Sequence, residues 1–308
     1  MFISDKNLLV VGVDHGFCLM KTPHHIFENG VHPLGGESTL PTNTLEYNGE
    51  YFKVGEGRLP MMDVKTSDDN YFRLTLAAIA KEMDVYHQKH CDVILAVGLP
   101  FSRFAREKED FRKYLLREGE ICFRFGGKEY GITIQDVYVF PQCYAAIVDR
   151  LREYGKETLV VDIGSKTIDV IHTKNYVPVE RSCTTIPEAL IHCMAEINNA
   201  VYRRCNKRIS EADIQQMMMT GKSLLPDSIT TVIRDELKVF AENVEARLKE
   251  NGYDPELTPT VYVGGGASVM RLFGNIRGVH ICYQEDVRAN AIGYEYLALQ
   301  KKDRWLHE

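Results

Sequence analysis

The sequence predicts an α/β fold built from two related lobes. The apolar run Leu8-Leu9-Val10-Val11-Gly12-Val13 closes on Asp14-His15-Gly16, and Thr158-Leu159-Val160-Val161 closes in the same way on Asp162-Ile163-Gly164, about 150 residues later. An apolar run ending in Asp-x-Gly reads as a buried strand feeding a tight turn. A third strand, Val261-Tyr262-Val263, enters Gly264-Gly265-Gly266-Ala267 and a helix. A second strand–turn unit at this spacing can face the first across a cleft, which is the mark of two lobes of common design.

The remaining elements follow in order. A return strand runs from Phe17 to Lys21 after the first turn. Residues 31–69 are polar and rich in Gly and Pro, with short β-like pieces such as Tyr51-Phe52-Lys53-Val54, and read as a small peripheral subdomain. Leu74, Ala77, Ala78 and Val85 at near-helical spacing predict a helix over 70–88. Val93 to Leu99 is a buried strand closed by Pro100, and a charged helix follows over about 102–117. Gly126-Gly127 between two β-like runs signals a hairpin. A helix is expected over 141–154. In the second half, 188–204 and 228–251 read as helices. Ser210 with Asp213 marks a capping box for a helix between them, and Gly252 a stop for the last of these. A final helix is expected over about 286–300.

Composition narrows the class. The chain of 308 residues has 44% apolar and 26% charged residues, an ordinary globular balance that sets aside disordered and fibrous readings. Its net charge of −6, without a long basic block, gives no phosphate-tracking groove for nucleic acid. The eight cysteines are scattered with no C-x-x-C pair, which fits free thiols in a reducing cytosol. Residues 1–6 lack the features of a secretory signal, and no run reaches the roughly 18 apolar residues of a membrane span.

Phosphate oxygens need backbone N–H donors at close range. Glycine permits that approach, and an aspartate nearby can hold hydrated Mg²⁺. Asp14-x-Gly16 and Asp162-x-Gly164 supply one such turn from each half. Lys21, seven residues after Asp14, falls on the return strand, where its ammonium can reach phosphate. Gly264-Gly265-Gly266 would let a nucleoside pack against backbone at a helix N-terminus.

This set resembles the actin-like ATPases, the superfamily that also includes seventy-kilodalton heat-shock chaperones and hexokinase-type sugar kinases. Asp14-His15-Gly16 with Lys21 is similar to the first phosphate motif. Asp162-Ile163-Gly164-Ser165-Lys166-Thr167-Ile168-Asp169 is similar to the second, and Val263-Gly264-Gly265-Gly266-Ala267 to the adenosine motif. Pro141-Gln142 and Ala289-Asn290-Ala291-Ile292-Gly293 fall where the two interlobe connecting helices belong. Within the superfamily, the charged run 107–113, the hairpin, Asp136-Val137-Tyr138-Val139-Phe140-Pro141-Gln142 and the Asp162 motif resemble the bacterial plasmid-segregation ParM group in order and spacing.

The resemblance implies an actin-like two-lobed fold of duplicated ribonuclease-H-like cores with small peripheral subdomains. Lobe I would span 1–154, with its core at 1–30 and 70–154 and its peripheral part at 31–69, completed by 286–308. Lobe II would span 155–285, with its core at 155–181 and 228–285 and its peripheral part at 182–227. ATP, or GTP, and Mg²⁺ are the implied cofactors. Asp14 and Asp162 would orient waters around Mg²⁺, and Gln142 would position the attacking water. Contacts to the nucleotide would come from Asp14, Gly16, Lys21, Asp162, Gly164, Ser165, Lys166, Thr167, Gly264, Gly265, Gly266 and Ala267. The chain departs from many relatives at Ser165-Lys166, where they carry glycine and a small hydroxyl residue, so the room left for phosphate is smaller.

The implied function is a cytoplasmic filament whose ATP hydrolysis drives turnover and which segregates plasmid or other mobile DNA. Its implied partners are itself, head to tail, and a DNA-bound adaptor of ParR type; direct nucleic-acid and membrane contacts are not expected. The segment 31–69 is a candidate longitudinal contact. The alternative is a small-molecule kinase of the same superfamily, for which Asp169 is the nearest candidate base. A chaperone would need a peptide-binding domain beyond the short tail 301–308. A membrane-bound filament would need more of an anchor than that tail, with its single Trp305, offers. Other features read as structural: His87 and His90 as surface residues of a helix, His24-His25 as a solvated loop, and Met217-Met218-Met219 as adaptable packing. Asn290 and Gly293 suit close helix packing, and the run 103–113 a solvated face with local ion pairs.

Overall fold

The computed structural model describes residues 1–60, 64–187 and 189–305, with side chains up to residue 301. The chain forms two compact units, Met1–Asp149 with Arg288–Glu308, and Arg150–Val287. Mixed α/β architecture, each unit carrying one sheet, is the framework for every site residue.

In the first unit β1 (Phe2–Ile3) pairs with β2 (Leu8–His15), which turns back into β3 (Leu19–Lys21) and β4 (Ile26–Glu28). Next come β5 (Val31–Leu34), β6 (Thr44–Tyr47), β7 (Glu50–Val54), α1 (Asn70–Val85), β8 (His90–Leu99), α2 (Phe101–Leu115), β9 (Glu120–Phe125) and β10 (Lys128–Pro141). The sheet order is β4-β3-β2-β8-β10-β9-β6-β7-β5. Its central pairs, β2 with β8 and β8 with β10, are parallel. A parallel sheet is covered on both faces, so its strands are apolar at nearly every position. The period of two sorts them: Leu9, Val11, Val13, Val93, Leu95 and Val97 join one core, while Leu8, Val10, Ile94 and Ala96 join another on the opposite face.

The second unit holds β11 (Glu157–Ile163), β12 (Thr167–Lys174), β13 (Val177–Pro187), α3 (Leu190–Cys205), α4 (Glu211–Thr220), α5 (Asp227–Glu250), β14 (Thr260–Val263), α6 (Ala267–Phe273) and β15 (Ile281–Gln284). Its order, β13-β12-β11-β14-β15, repeats β4-β3-β2-β8-β10 of the first unit, antiparallel pairs followed by parallel ones. The chain then returns to the first unit as α7 (Ala289–Trp305). Gly12 is required there, because a Cβ on it would strike the carbonyl of Ala291.

Local signals act as expected in several places. Gly126 and Gly127, at φ 60° and 80°, make the two-residue turn that pairs Phe125 with Lys128. Ser210 Oγ accepts from Asp213 N and donates to the Asp213 carboxylate at 2.6 Å, a variant of the capping box. Gly252 at φ +82° follows the end of α5.

Other expectations are corrected. The helix expected over 141–154 is absent. Strand β10 continues to Pro141, paired with Leu99, and only a 3₁₀ turn at Ala145–Arg150 follows. Cys143, at φ +69°, breaks the chain direction, and its N–H is taken by Asn290 Oδ1 at 3.0 Å rather than by a helical carbonyl. Helix α1 stops at Val85, so exposed His87 lies in a turn and exposed His90 opens β8. His24-His25 lies in a loop with His24 exposed, as expected, but the loop is anchored: His24 Nδ1 meets Glu82 Oε2 at 2.7 Å and His25 Nε2 meets the Lys81 carbonyl at 3.1 Å. Met217 and Met218 are buried while Met219 is exposed. The expected helix start at Glu188 and residues 306–308 of the tail lie outside the described residues.

Candidate functional site

In the first unit, β2 delivers Asp14 and His15 at its last two positions and Gly16 opens the turn. Gly16 N donates to the Leu19 carbonyl at 3.1 Å, and a Cβ on Gly16 would lie 2.5 Å from that oxygen, so the turn requires glycine. The register places Lys21 directly opposite Asp14. Cross-strand partners share a face, and Lys21 Nζ lies 2.8 Å from Asp14 Oδ2. Gln142, the residue after β10, has its backbone N–H held by Leu99 O at 2.9 Å. Its Nε2 donates to the second carboxylate oxygen, Asp14 Oδ1, at 3.1 Å. Thus two of the expected residues, Lys21 and Gln142, converge on the buried carboxylate of a third, Asp14. Burial pushes the Asp14 carboxyl up, but the charge and hydrogen bond of Lys21, with help from Lys65, outweigh it and hold the group below its ordinary value.

Two neighbours of this carboxylate lie outside the expected nucleotide contacts. Lys65, only 5% exposed, donates from Nζ to the His15 carbonyl at 2.5 Å. Burial, assisted by Arg103 and Lys21, brings its ammonium down to about 8. His15 is fully buried, with Nε2 2.8 Å from Thr75 Oγ1. Because that hydroxyl donates to the Tyr71 carbonyl at 2.7 Å, it accepts from His15, which fixes the Nε2–H tautomer. Burial first, and then the Lys65 charge, lowers the imidazole to about 3, so it is neutral. Lys65 lies in the polar segment, where no periodicity marks a buried lysine.

The second unit repeats the device. Gly164 N donates to Thr167 O at 2.9 Å between β11 and β12, and the register sets Asp162 opposite Asp169. The carbonyls of Gly164 and Ser165 accept from Leu190 N and Ile191 N at the start of α3, at 3.3 and 2.9 Å. Gly264, at φ +78°, lies so near Asp162 that a Cβ would strike Oδ1. Gly266 N donates to Ile163 O at 3.0 Å, and a Cβ there would overlap the Ile163 side chain. Asp162, Gly164 and the triple-glycine turn therefore share one end of the sheet. Ser165, Lys166 and Thr167 are half-buried in the turn, while Ala267 is buried at the start of α6. Asp169 accepts from Thr167 Oγ1 at 3.2 Å and Thr185 Oγ1 at 2.6 Å.

Among the described residues no group of three or more His, Cys, Asp or Glu side chains converges as a closed metal cage. Asp14, a buried carboxylate beside a glycine turn, nonetheless fits Mg²⁺, which keeps several waters and takes phosphate oxygens alongside one or two carboxylates. Both oxygens of Asp14 are engaged by nitrogen donors, which suits contact with the ion through water.

Residues 26–144 match the family model described as the N-terminal domain of actin-like proteins. No curated protein sequence matches the chain. Its fold is similar to that of Ta0583, an archaeal actin homologue, in complex with ADP, with a TM-score of 0.73 and 20% identity over 95% of this chain and 99% of that one. It is similar to the Alp12 filament structure, with a TM-score of 0.69 and 17% identity over 96% and 100%. Bacillus thuringiensis ParM with AMPPNP gives a TM-score of 0.71 and 14% identity over 96% and 100%.

Proposed function

We propose that this chain, which has the actin-like fold over nearly its whole length, is a nucleotide-dependent filament protein of the ParM kind. ATP with Mg²⁺ would bind at the two Asp-x-Gly turns, and hydrolysis would weaken the polymer. The observation that carries this reading is the Asp14 carboxylate held between Lys21 Nζ and Gln142 Nε2. A buried, ionised carboxylate beside an ammonium and a glycine turn suits a hydrated cation and phosphate. Gln142 can orient a water but cannot take its proton, which favours slow, assembly-dependent hydrolysis.

When bound, Mg²⁺ would neutralise phosphate charge. Asp14 and Asp162 would hold its waters, while Lys21 and the N–H groups of the turns would hold phosphate. The triple-glycine turn would receive the nucleoside. Asp169, the carboxylate that a small-molecule kinase would use as base, accepts hydrogen bonds from Thr167 and Thr185, which weighs against that alternative.

Head-to-tail contacts that do not close into a ring generate an open polymer. The peripheral segment 31–69 would supply one longitudinal contact. DNA would be carried through an adaptor of ParR type, in keeping with the acidic charge balance. Among the described residues no helix is long and apolar enough to cross a membrane.

Right-angle light scattering across a protein concentration series, with Mg²⁺ and ATP, GTP, ADP or no nucleotide, tests the function. The expected result is a triphosphate-dependent rise above a critical concentration. Confirmed nucleotide binding with no rise at any concentration would count against polymerisation by the chain alone.

A further inference from the structure

We propose that Lys65 is a second ammonium ligand, beside Lys21, for the phosphate bound at the first turn, delivered from the peripheral segment. This rests on the reading of that turn as a phosphate site. Its Nζ is seated on the His15 carbonyl, one residue from Asp14 and one from Gly16, and it is buried rather than waving in solvent. The rings of Phe17 and Tyr71 flank it, with centroids 5.6 and 5.7 Å away.

An ammonium carries three donors, and among the described residues its one hydrogen bond is to the His15 carbonyl. Desolvating a lysine this far is unfavourable unless a counter-charge arrives. Asp14 is already engaged by Lys21 and Gln142. Lys21 and Lys65 thus set two ammonium groups beside the single carboxylate of Asp14. An incoming phosphate supplies the missing anion and the missing acceptor together.

The placement of Lys65 is built, not incidental. The chain immediately after it is pinned to α2 and its end: Tyr114 Oη donates to the Asp68 carbonyl at 2.8 Å, Phe72 N donates to Tyr114 Oη at 2.8 Å, and Arg117 bonds Asp69 at 2.7 Å. Through Lys65, phosphate binding at the turn would also restrain the segment that links β7 to α1. That gives the peripheral strands a direct electrostatic link to the nucleotide.

The test is calorimetric titration of the wild-type chain, Lys65→Met and Lys65→Gln with Mg²⁺-ATP and, separately, with adenosine. Lys65→Gln keeps a donor for the His15 carbonyl without the charge, so loss of packing and loss of charge are separated. Both variants are expected to bind ATP at least about tenfold more weakly while adenosine affinity is unchanged, as for a lost charge-assisted bond to phosphate. If either folded variant binds ATP as tightly as wild type, Lys65 is not a phosphate ligand. An equal loss for adenosine and ATP also overturns it, since the effect then lies in packing. A wild-type chain that binds no triphosphate overturns the phosphate reading of the turn itself, and Lys65 with it.

Discussion

Gln142 Nε2 and Asp14 Oδ1 lie 3.1 Å apart although 128 residues separate them in the chain. The contact joins the end of β10 to the end of β2, two strands that do not pair but both flank β8. Parallel strands finish at the same edge of a sheet, so residues just past their ends gather there. The candidate site of the first unit is therefore a product of topology, with Asp14 as its hub.

Hydrolysis should depend on this hub. Gln142→Ala is expected to lower Mg²⁺-dependent phosphate release by about 10²-fold, the scale seen when one positioned hydrogen-bonding group is removed. Nucleotide affinity should change much less. Asp14→Ala and Asp162→Ala should impair release at least as severely in chains that remain folded by circular dichroism. Normal release by both aspartate variants would refute the assignment.

Gly264 and Gly252 form a matched pair, with φ of +78° and +82°. Alanine at either position meets left-handed backbone strain of about 1 kcal/mol. Only at Gly264 would the new Cβ strike Asp162, whereas nothing lies near Gly252. Gly264→Ala should thus lower the urea midpoint more than Gly252→Ala and abolish nucleotide binding, with Gly252→Ala binding normally. Equal behaviour of the two would contradict the proximity of Gly264 to Asp162.

The pH dependence of the ligand-free protein should bear the mark of His15. Its value falls from an ordinary 6.5 to about 3 on folding. Between those values the unfolded chain binds the extra proton, so stability is fully present above about 6.5 and is lost as pH falls toward 3. The slope from this group is at most about 1.4 kcal/mol per pH unit. Asp14, also lowered on folding, adds a loss in the same direction at the acid end. Urea melts of wild type and His15→Gln from pH 7 to 4 should diverge in slope. Parallel slopes would show that His15 is not held neutral.

Thiol reactivity should follow the pleat of β9. Cys122 points outward between the buried residues Ile121 and Phe123. Cys91 and Cys193 are buried, and burial pushes their thiols up to about 11 and about 12. Maleimide at pH 7.5 is expected to label Cys122 first, as followed by peptide mass spectrometry, with Cys91 and Cys193 reacting only in denaturant. Early labelling of Cys193 would show that α3 opens readily.

The legible parts of this molecule are those fixed by a few neighbouring residues. The Asp-x-Gly turns, the Gly126-Gly127 hairpin and the Ser210 cap each rest on short-range geometry that only certain residues satisfy. The pairing of Lys21 with Asp14 belongs here too, since a tight turn sets the register. Partners chosen across long distances left no local trace. Strand β9 pairs with β6 through Leu45 and Phe125, which ties the peripheral strands into the main sheet. The missing helix after Pro141 reflects Asn290, 147 residues away, taking the Cys143 N–H. Lys65 carries no local signature, because a polar segment conceals a buried lysine until its neighbours Phe17, Tyr71 and His15 are in place.

The return of α7 to the first unit has a bearing on how the chain is made. One face of the central sheet, with Leu8, Val10, Ile94, Ala96 and Phe140, is covered by Tyr294 and Ala298 of that helix. A ribosome delivers those residues only after all of Arg150–Val287 has emerged. Until then the first unit is a sheet with one bare apolar side, while the second already has every strand and helix it needs. The later unit is free to mature ahead of the earlier one, and a nascent chain stalled near residue 287 would display a sticky surface of the kind that chaperones hold.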